Sequence, residues 1–306
     1  MSGYELSYVA LSSREPELVV EILGGDLGLN GGTVDAPGGN VQLFGAGQTG
    51  ICVFDAEHPL LETPGRTGVD HMVLATEAPS DAAKKHGLKV TGEGEGVGGF
   101  NEVRVARDET VGICTRFAPK LEIPDSKSEF IERIDHLGIA SADVSEDEKV
   151  FTGNLGCPVE SRQTDFEVSM AVESFTSDKY GVIYHNRPPE QVGGLRVLFT
   201  TVGDLELEFL QDIDPSTEHV VEHGRPGNTK QDRGVIGRYV EKHGPGLHHV
   251  ALKTPDIGKT LRHLEAKGRR MIDLKGRPGS RRALIGFVHP SSLGGVLLHF
   301  VERDEL

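Results

Sequence analysis

RIDHLGIASA (133–142) and GLHHVALKTP (246–255) read alike: an apolar strand with a histidine near its middle, running out into small or polar residues. Two further segments keep the same outline, YELSYVALSS (4–13) and GVDHMVLATE (68–77). Four copies of one opening strand in 306 residues mark an internal repeat, which constrains architecture before any local propensity does. A helix-like stretch follows each copy, DVSEDEKVFTGNLGC (143–157) after the third and DIGKTLRHLEAKGRR (256–270) after the fourth. In the last of these, Ile257, Leu261 and Leu264 fall at helical spacing and Gly268 supplies a stop.

Each copy then returns through segments of alternating polarity. In the third these include LRVLFTTVG (195–203) and LELEFLQD (205–212), with a hairpin turn at Gly203-Asp204. In the fourth they are RALIGFVHPSS (282–292) and GGVLLHFVE (294–302), turning through Leu293-Gly294. The unit is therefore βαβββ, an α+β arrangement, and the first two units are shorter, at roughly 60 residues each. The stretch APKLEIPDSKSEF (118–130), with two prolines and polar content, marks a linker. Its boundary near residue 127 separates one domain over 1–120 from another over 131–306. STEHVVEHGRPGNTKQDRG (216–234) reads as a long loop, and SDKYGVIYHNRPPEQVGG (177–194) as an insertion suited to a lid over a site.

Four strands of the second half each carry a potential ligand: His136, Glu208, His249 in the tandem His248-His249, and His299. Side chains alternate along a strand, so one residue from each can aim into a shared cavity. A lone strand histidine is more often a packed core residue than a ligand, but four such residues at equivalent places in a repeat favour a metal. A carboxylate such as Glu208 in an apolar strand also needs a cationic partner. Three imidazoles and one carboxylate suit one divalent ion of the Fe, Co, Ni, Mn or Zn type. Strict alternation groups Ile134, His136, Gly138 and Ala140 on one face and turns His248 and Glu302 away. It also brings Glu206 and Lys253 to the inward face, where each is a candidate for proton transfer or substrate contact. Tyr184 and His185, in the insertion, are further candidates.

The first half lacks this set. Tyr8 stands in the place of His136, His71 keeps its histidine, and Val53 and Arg116 stand about where Glu208 and His299 do. The expectation is a domain without a metal site, with His71 in its core. A net charge of -15 argues against nucleic acid and anionic membranes as partners. Cys52, Cys114 and Cys157 are too few and too far apart for a disulfide framework, and fit buried reduced thiols in a cytoplasmic protein. The opening MSGYELSYVA has no leader character, and no apolar run approaches spanning length. GEGEGVGG (92–99) lacks the strand-loop-helix context of a phosphate loop and reads as a turn, so no nucleotide cofactor is implied.

The chain resembles the vicinal oxygen chelate superfamily (glyoxalase, bleomycin-resistance and dioxygenase proteins), most closely over residues 131–302. Within it, IDHLGIA, GVIGRYVEKHGPGLHHVAL and IGFVHPSSLGGVLLHF are similar to methylmalonyl-CoA epimerases. The resemblance implies four βαβββ modules paired into two vicinal-oxygen-chelate domains with curved mixed sheets around a divalent metal. It also implies a ligand set of His, Gln or Glu, His, and Glu from the four strands. His136, Glu208 and His249 match that set, whereas His299 stands where the family has Glu. The four-module length resembles extradiol and 4-hydroxyphenylpyruvate dioxygenases, whose first domain is often metal-free and whose second holds Fe(II) on two His and one Glu. The expectation is a metal-dependent epimerase or isomerase. It would move an α-proton beside a carbonyl, through a metal-stabilised enolate, on a small carbonyl or vicinal-oxygen substrate. The alternatives are an Fe(II) dioxygenase and a non-catalytic small-molecule-binding protein. Paired-module proteins often form homodimers, although four modules in one chain supply that pairing internally.

Overall fold

The alternating segments become two eight-stranded mixed sheets, each curled into a half-barrel. The computed structural model describes residues 4–125, 127–214 and 234–304. The first half contributes β1 (Leu6–Ser13), β2 (Gly31–Val34), β3 (Val41–Ala46), β4 (Thr49–Asp55), β5 (Gly68–Ala75), β6 (Val90–Glu95), β7 (Asn101–Val105) and β8 (Thr115–Ala118). Helices α1 (Pro16–Val20) and α2 (Pro79–Lys85) follow β1 and β5. The second half contributes β9 (Arg133–Ser141), β10 (Val159–Ser169), a projecting hairpin of β11 (Val172–Ser177) and β12 (Gly181–Asn186), β13 (Glu190–Val202) and β14 (Leu205–Asp212). It continues with β15 (Gly246–Lys253), β16 (Arg277–Pro278), β17 (Leu284–Val288) and β18 (Leu298–Glu302). Helices α3 (Val144–Glu148), α4 (Val235–His243) and α5 (Ile257–Ala266) complete it.

The strand orders, β2-β3-β4-β1-β5-β8-β7-β6 and β10-β13-β14-β9-β15-β18-β17-β16, are the same pattern twice. In each module the first and last strands pair in parallel, and the opening strands of two modules pair antiparallel at the middle of the sheet. This is the duplicated βαβββ arrangement of the sequence reading. The helix spacing at Ile257, Leu261 and Leu264 produces α5, with all three side chains buried; Asp256 caps it by accepting from Lys259 N, and Gly268 ends it at φ 79°.

Helices α1, α2, α3 and α5 cover the convex side of the sheets over one apolar cluster that runs through both halves, from Leu6, Val19 and Ile22 to Leu137, Phe209 and Phe300, whereas α4 lies by the concave side of the second. Polar ties cross the same boundary: Arg269 Nε donates to Asp26 Oδ2 at 2.6 Å, and Arg66 Nη2 donates to Tyr239 Oη at 2.6 Å. The concave sides differ. In the first half an apolar cluster including Tyr8, Leu43, Cys52, Phe54, Leu61 and Val73 fills the hollow. In the second half the apolar residues split into two smaller groups, one around Phe199 and Ile236 and one around Ala251 and Val301. The region between them holds the polar site.

The sequence reading of 216–234 as a loop falls almost wholly outside the described residues. The insertion at 177–194 forms part of the exposed β11–β12 hairpin and the start of β13; its residues do not line the cavity described next. No helix among the described residues is long and apolar enough to cross a membrane.

Candidate metal centre

A β-bulge decides which side chains meet. In the β9–β15 ladder, Ala251 pairs with His136 and Leu252 with Ile134, so Asp135 is an extra residue with no partner. A bulge re-aims the residue it inserts. Ile134 therefore packs in the convex core with Leu137 and Ile139, while Asp135 lies beside His136 on the concave side. The grouping of Ile134 with His136 expected from strict alternation fails for this reason. A second bulge falls at His248, between the pairs Leu247–Ile139 and His249–Gly138. His248 thus lines the cavity along with His249 instead of turning away, and its Nδ1 lies 3.0 Å from His249 Nδ1.

His136, Glu208, His249 and His299 come together here, each no more than 5% exposed. Gly138 gives His249 its space: a Cβ at that position would fall 2.0–2.4 Å from three atoms of the imidazole. The ligand nitrogens of the three histidines lie within 4.8 Å of one another. Glu208 Oε2 is 3.1 Å from His136 Nε2 and 3.6 Å from His249 Nε2. These approaches lack hydrogen-bond geometry: Nε2 of His136, Nε2 of His249 and both ring nitrogens of His299 are buried without a hydrogen-bond partner. Leaving such atoms unsatisfied costs about 1–3 kcal/mol each. Four orphaned nitrogens around one carboxylate fit a bound cation, and the imidazole-carboxylate donor set fits a borderline divalent ion.

The surroundings orient this set. Asp135 Oδ1 lies 2.8 Å from His136 Nδ1, and Asp135 itself accepts from Arg281 Nη2 at 3.1 Å and Arg303 Nε at 2.8 Å. Because a carboxylate only accepts, Nδ1 carries the hydrogen and Nε2 faces the cluster, an arrangement common behind metal-bound histidines. Burial would raise the Asp135 carboxyl, but His136 and the two guanidiniums override it and hold it well below the usual range. Burial likewise opposes charge on His136, but Glu208 and Asp135 outweigh it and bring its pKa up to about 9. Glu208 is held well below its usual range, because the two imidazoles overcome its desolvation. His249 and His299 are lowered, chiefly by burial, and His248 falls to about 3 through burial and its neighbour His249. With no metal bound, these shifts favour a protonated His136 beside an ionised Glu208.

The four residues named for proton transfer do not line the cavity. Glu206 pairs across from His136, but its carboxylate accepts from Arg303 Nη2 at 3.2 Å and lies 3.6 Å from Arg281 Nη1. Lys253 is buried at the far end of β15, 3.4 Å from Glu132 Oε2. Tyr184 and His185 sit on the exposed hairpin, Tyr184 at 72% exposure. The cavity, of about 240 Å³, has apolar walls of Leu195, Phe199, Ile236, Ile285 and Phe287, with Arg281 to one side. Asp135 and Arg281 escaped the sequence reading. The shared Asp-His of VDH (69–71) and IDH (134–136) was the available signal for Asp135.

The first half repeats the frame with other contents. Its bulges fall at Ser7 and Asp70, each just before the inward residue, Tyr8 or His71. Asp70 Oδ1 lies 2.6 Å from His71 Nδ1, matching Asp135 and His136. The ladders place Cys52 opposite Ala10, as Glu208 is opposite Gly138, so Cys52 rather than Val53 occupies the carboxylate's place. Arg116 occupies that of His299 and fills the hollow. It is fully buried, donating through Nη1 to Glu102 Oε1 at 2.5 Å and through Nη2 to Glu62 Oε1 at 2.7 Å, while Tyr8 Oη donates to Glu102 Oε2 at 2.8 Å. His71 is fully buried, as expected of a core residue.

Residues 135–287 match the family model of the Glyoxalase/Bleomycin resistance protein/Dioxygenase superfamily, half of the chain, and the protein belongs to that superfamily. Among curated proteins it is similar to mitochondrial methylmalonyl-CoA epimerase of Dictyostelium discoideum, 32% identical over 73 residues, 24% of this chain and 44% of that protein. It is also similar to the Bos taurus enzyme of the same name, 24% identical over 105 residues, 34% of this chain and 51% of that protein. The chain thus spans about half the length of these curated relatives. Among solved structures, a variant of 4-hydroxymandelate synthase from Streptomyces coelicolor superposes on 99% of this chain and 94% of its own, with TM-score 0.61 and 14% identity. That likeness shows a shared two-half fold.

Proposed function

We propose that this protein is a metal-dependent epimerase or isomerase that moves a proton on a carbon next to a carbonyl. The observation that carries this reading is the buried cluster of His136, Glu208, His249 and His299 with four orphaned ring nitrogens. These four residues would hold one divalent ion of the Fe, Co, Ni, Mn or Zn type. When bound, the ion supplies positive charge that polarises a substrate carbonyl and acidifies the neighbouring C–H. Four protein donors leave little room for both a chelating substrate and O₂, which favours non-redox chemistry.

The chain's own residues supply the rest. Asp135 fixes the ring of His136, and Gly138 admits that of His249. Leu195, Phe199, Ile236 and Phe287 keep water from the reacting carbon. With Glu206 bound to arginine, Lys253 turned from the cavity and Tyr184 and His185 exposed, the proton carriers left at the cavity wall are Glu208 and His248. Glu208 is ionised, takes the proton and returns it as the carboxylic acid; His248, held neutral by burial and His249, serves as a hydrogen-bond partner at the same cavity wall.

The test is solvent-deuterium wash-in followed by NMR, under argon, on metal-loaded protein. The panel comprises 2-methylacyl-CoA thioesters, 2-hydroxyketones and cyclic sugar ketones. Metal-dependent exchange at an α-carbon that disappears in Glu208→Gln is the expected result. The two-half layout, similar to that of 4-hydroxymandelate synthase, favours a second reading, an Fe(II) dioxygenase. Oxygen uptake by the Fe(II)-loaded protein without α-proton exchange would establish it in place of the first.

A further inference from the structure

The chain is acidic, but its charge is unevenly spread. Residues 267–282, KGRRMIDLKGRPGSRR, hold seven basic residues against one acidic, leaving 25 basic against 46 acidic in the rest. This segment forms part of the cavity wall: Ile272, Arg277, Ser280 and Arg281 all line it. Not every cation of this segment has a carboxylate partner. Arg277 does, with Nε 3.1 Å from Asp273 Oδ1. Lys275 and Arg282 are exposed, and no ion pair to either occurs among the described residues.

The turn that presents Arg282 is held in an unfavourable form. Arg281 and Arg282 adopt φ of 55° and 60°, the left-handed region that non-glycine residues avoid. Gln163 Oε1 accepts from Arg281 N at 3.1 Å and fastens the turn to β10. The Arg281 guanidinium lies 3.7 Å from the centroid of the Phe199 ring, and its Nε is buried without a partner. Strain and an orphaned donor meet at Arg281, whose guanidinium is otherwise held by Asp135, Glu160 and Glu206, and the exposed cation of Arg282 follows it; strain of this kind clusters at functional sites.

We propose that Lys275 and Arg282, flanking Arg277 and Arg281, form an anion-recognition rim, and that the substrate carries a carboxylate or phosphate remote from the oxygens it offers the metal. The inference rests on the metal-site reading and adds the charge class of the ligand. An electropositive rim on an acidic protein focuses an anionic ligand toward this one opening and repels it elsewhere.

The test uses the full-length, metal-loaded protein and calorimetric titration with two matched pairs of probes. 2-Oxoglutarate and its 5-methyl ester differ by one remote carboxylate; coenzyme A and dephospho-coenzyme A differ by one phosphate. In at least one pair the more anionic member should bind roughly five- to tenfold more tightly. The carboxylate pair responding identifies a substrate acid, and the phosphate pair a carrier group. Lys275→Glu/Arg282→Glu should erase the difference, Lys275→Gln/Arg282→Gln should reduce it, and Lys267→Glu, just beyond α5, should leave it intact. Equal binding within both pairs, or a difference that survives the double charge reversal, overturns the rim. Discrimination without α-proton exchange overturns the proposed reaction and leaves the rim standing; exchange without discrimination does the reverse.

Discussion

In the first half, the concave face closes over Arg116, whose partner Glu102 also accepts from Tyr8; in the second, the ladder positions of Tyr8, Cys52 and Arg116 carry His136, Glu208 and His299 around an open cavity. The backbone frame is common to both, including bulges just before the inward residues and an Asp-His contact at the bulge. What differs is how charge is balanced. Arg116 brings its own cation to Glu102, so the first half is satisfied by protein alone. The second half has a carboxylate, three imidazoles and four ring nitrogens still lacking a partner. On the proposed reading, the second half would take its cation from a metal where the first half takes it from Arg116.

That comparison breaks first at the ligands. Glu208→Ala and His249→Ala should each weaken metal binding by roughly three orders of magnitude, the share of one ligand in a four-ligand site. Metal stoichiometry after dialysis and the visible spectrum of the Co(II) form would show it, with circular dichroism unchanged. His71→Ala should leave metal content as it was; a fall there would place a ligand in the wrong half.

The next effect lies on the other side. Arg116→Leu leaves Glu102 buried without its cation and should destabilise the protein by about 3 kcal/mol, read from urea denaturation. Metal affinity, measured separately, should not move. If Arg116→Leu proves neutral, the closed half is held by its apolar cluster, and the contrast in charge balance loses its meaning.

The smallest effect separates the two Asp-His contacts by pH. His136 is brought up to about 9 by its two carboxylates, whereas burial and Arg116 lower His71. A metal must displace the extra proton on His136, so affinity should rise about tenfold per pH unit up to near pH 9 and then level off. Calorimetry in buffers of different ionisation enthalpy should report close to one proton released at pH 7. Release of none would mean that His136 is already neutral in the metal-free protein.

Much of this was legible in the residues. The repeated opening strands, the α5 spacing and the hairpin turns carry the module order, and the four candidate ligands do meet in space. The faces of Ile134 and His248 were misjudged because a bulge adds a residue that period-two counting cannot see. Glu206 and Lys253 were placed inward by the same counting, but the arginines and the glutamate that engage them come from distant segments. The fate of Tyr184 and His185 depended on where an insertion projects, which local pattern does not specify. Arg281 was invisible for a related reason: its importance comes from a strained turn and from the ring beneath it.

The apolar cluster that runs from Leu6 to Phe300 gives the halves a shared core, so their unfolding is expected to be coupled. The first half would therefore contribute to the folding free energy against which a metal in the proposed site would act. A substitution deep in that half, tens of residues from any donor, shifts the midpoint of thermal unfolding for both, and metal loading raises the same midpoint for both. The half whose hollow is filled is in this sense a thermodynamic anchor for the half that holds the proposed site.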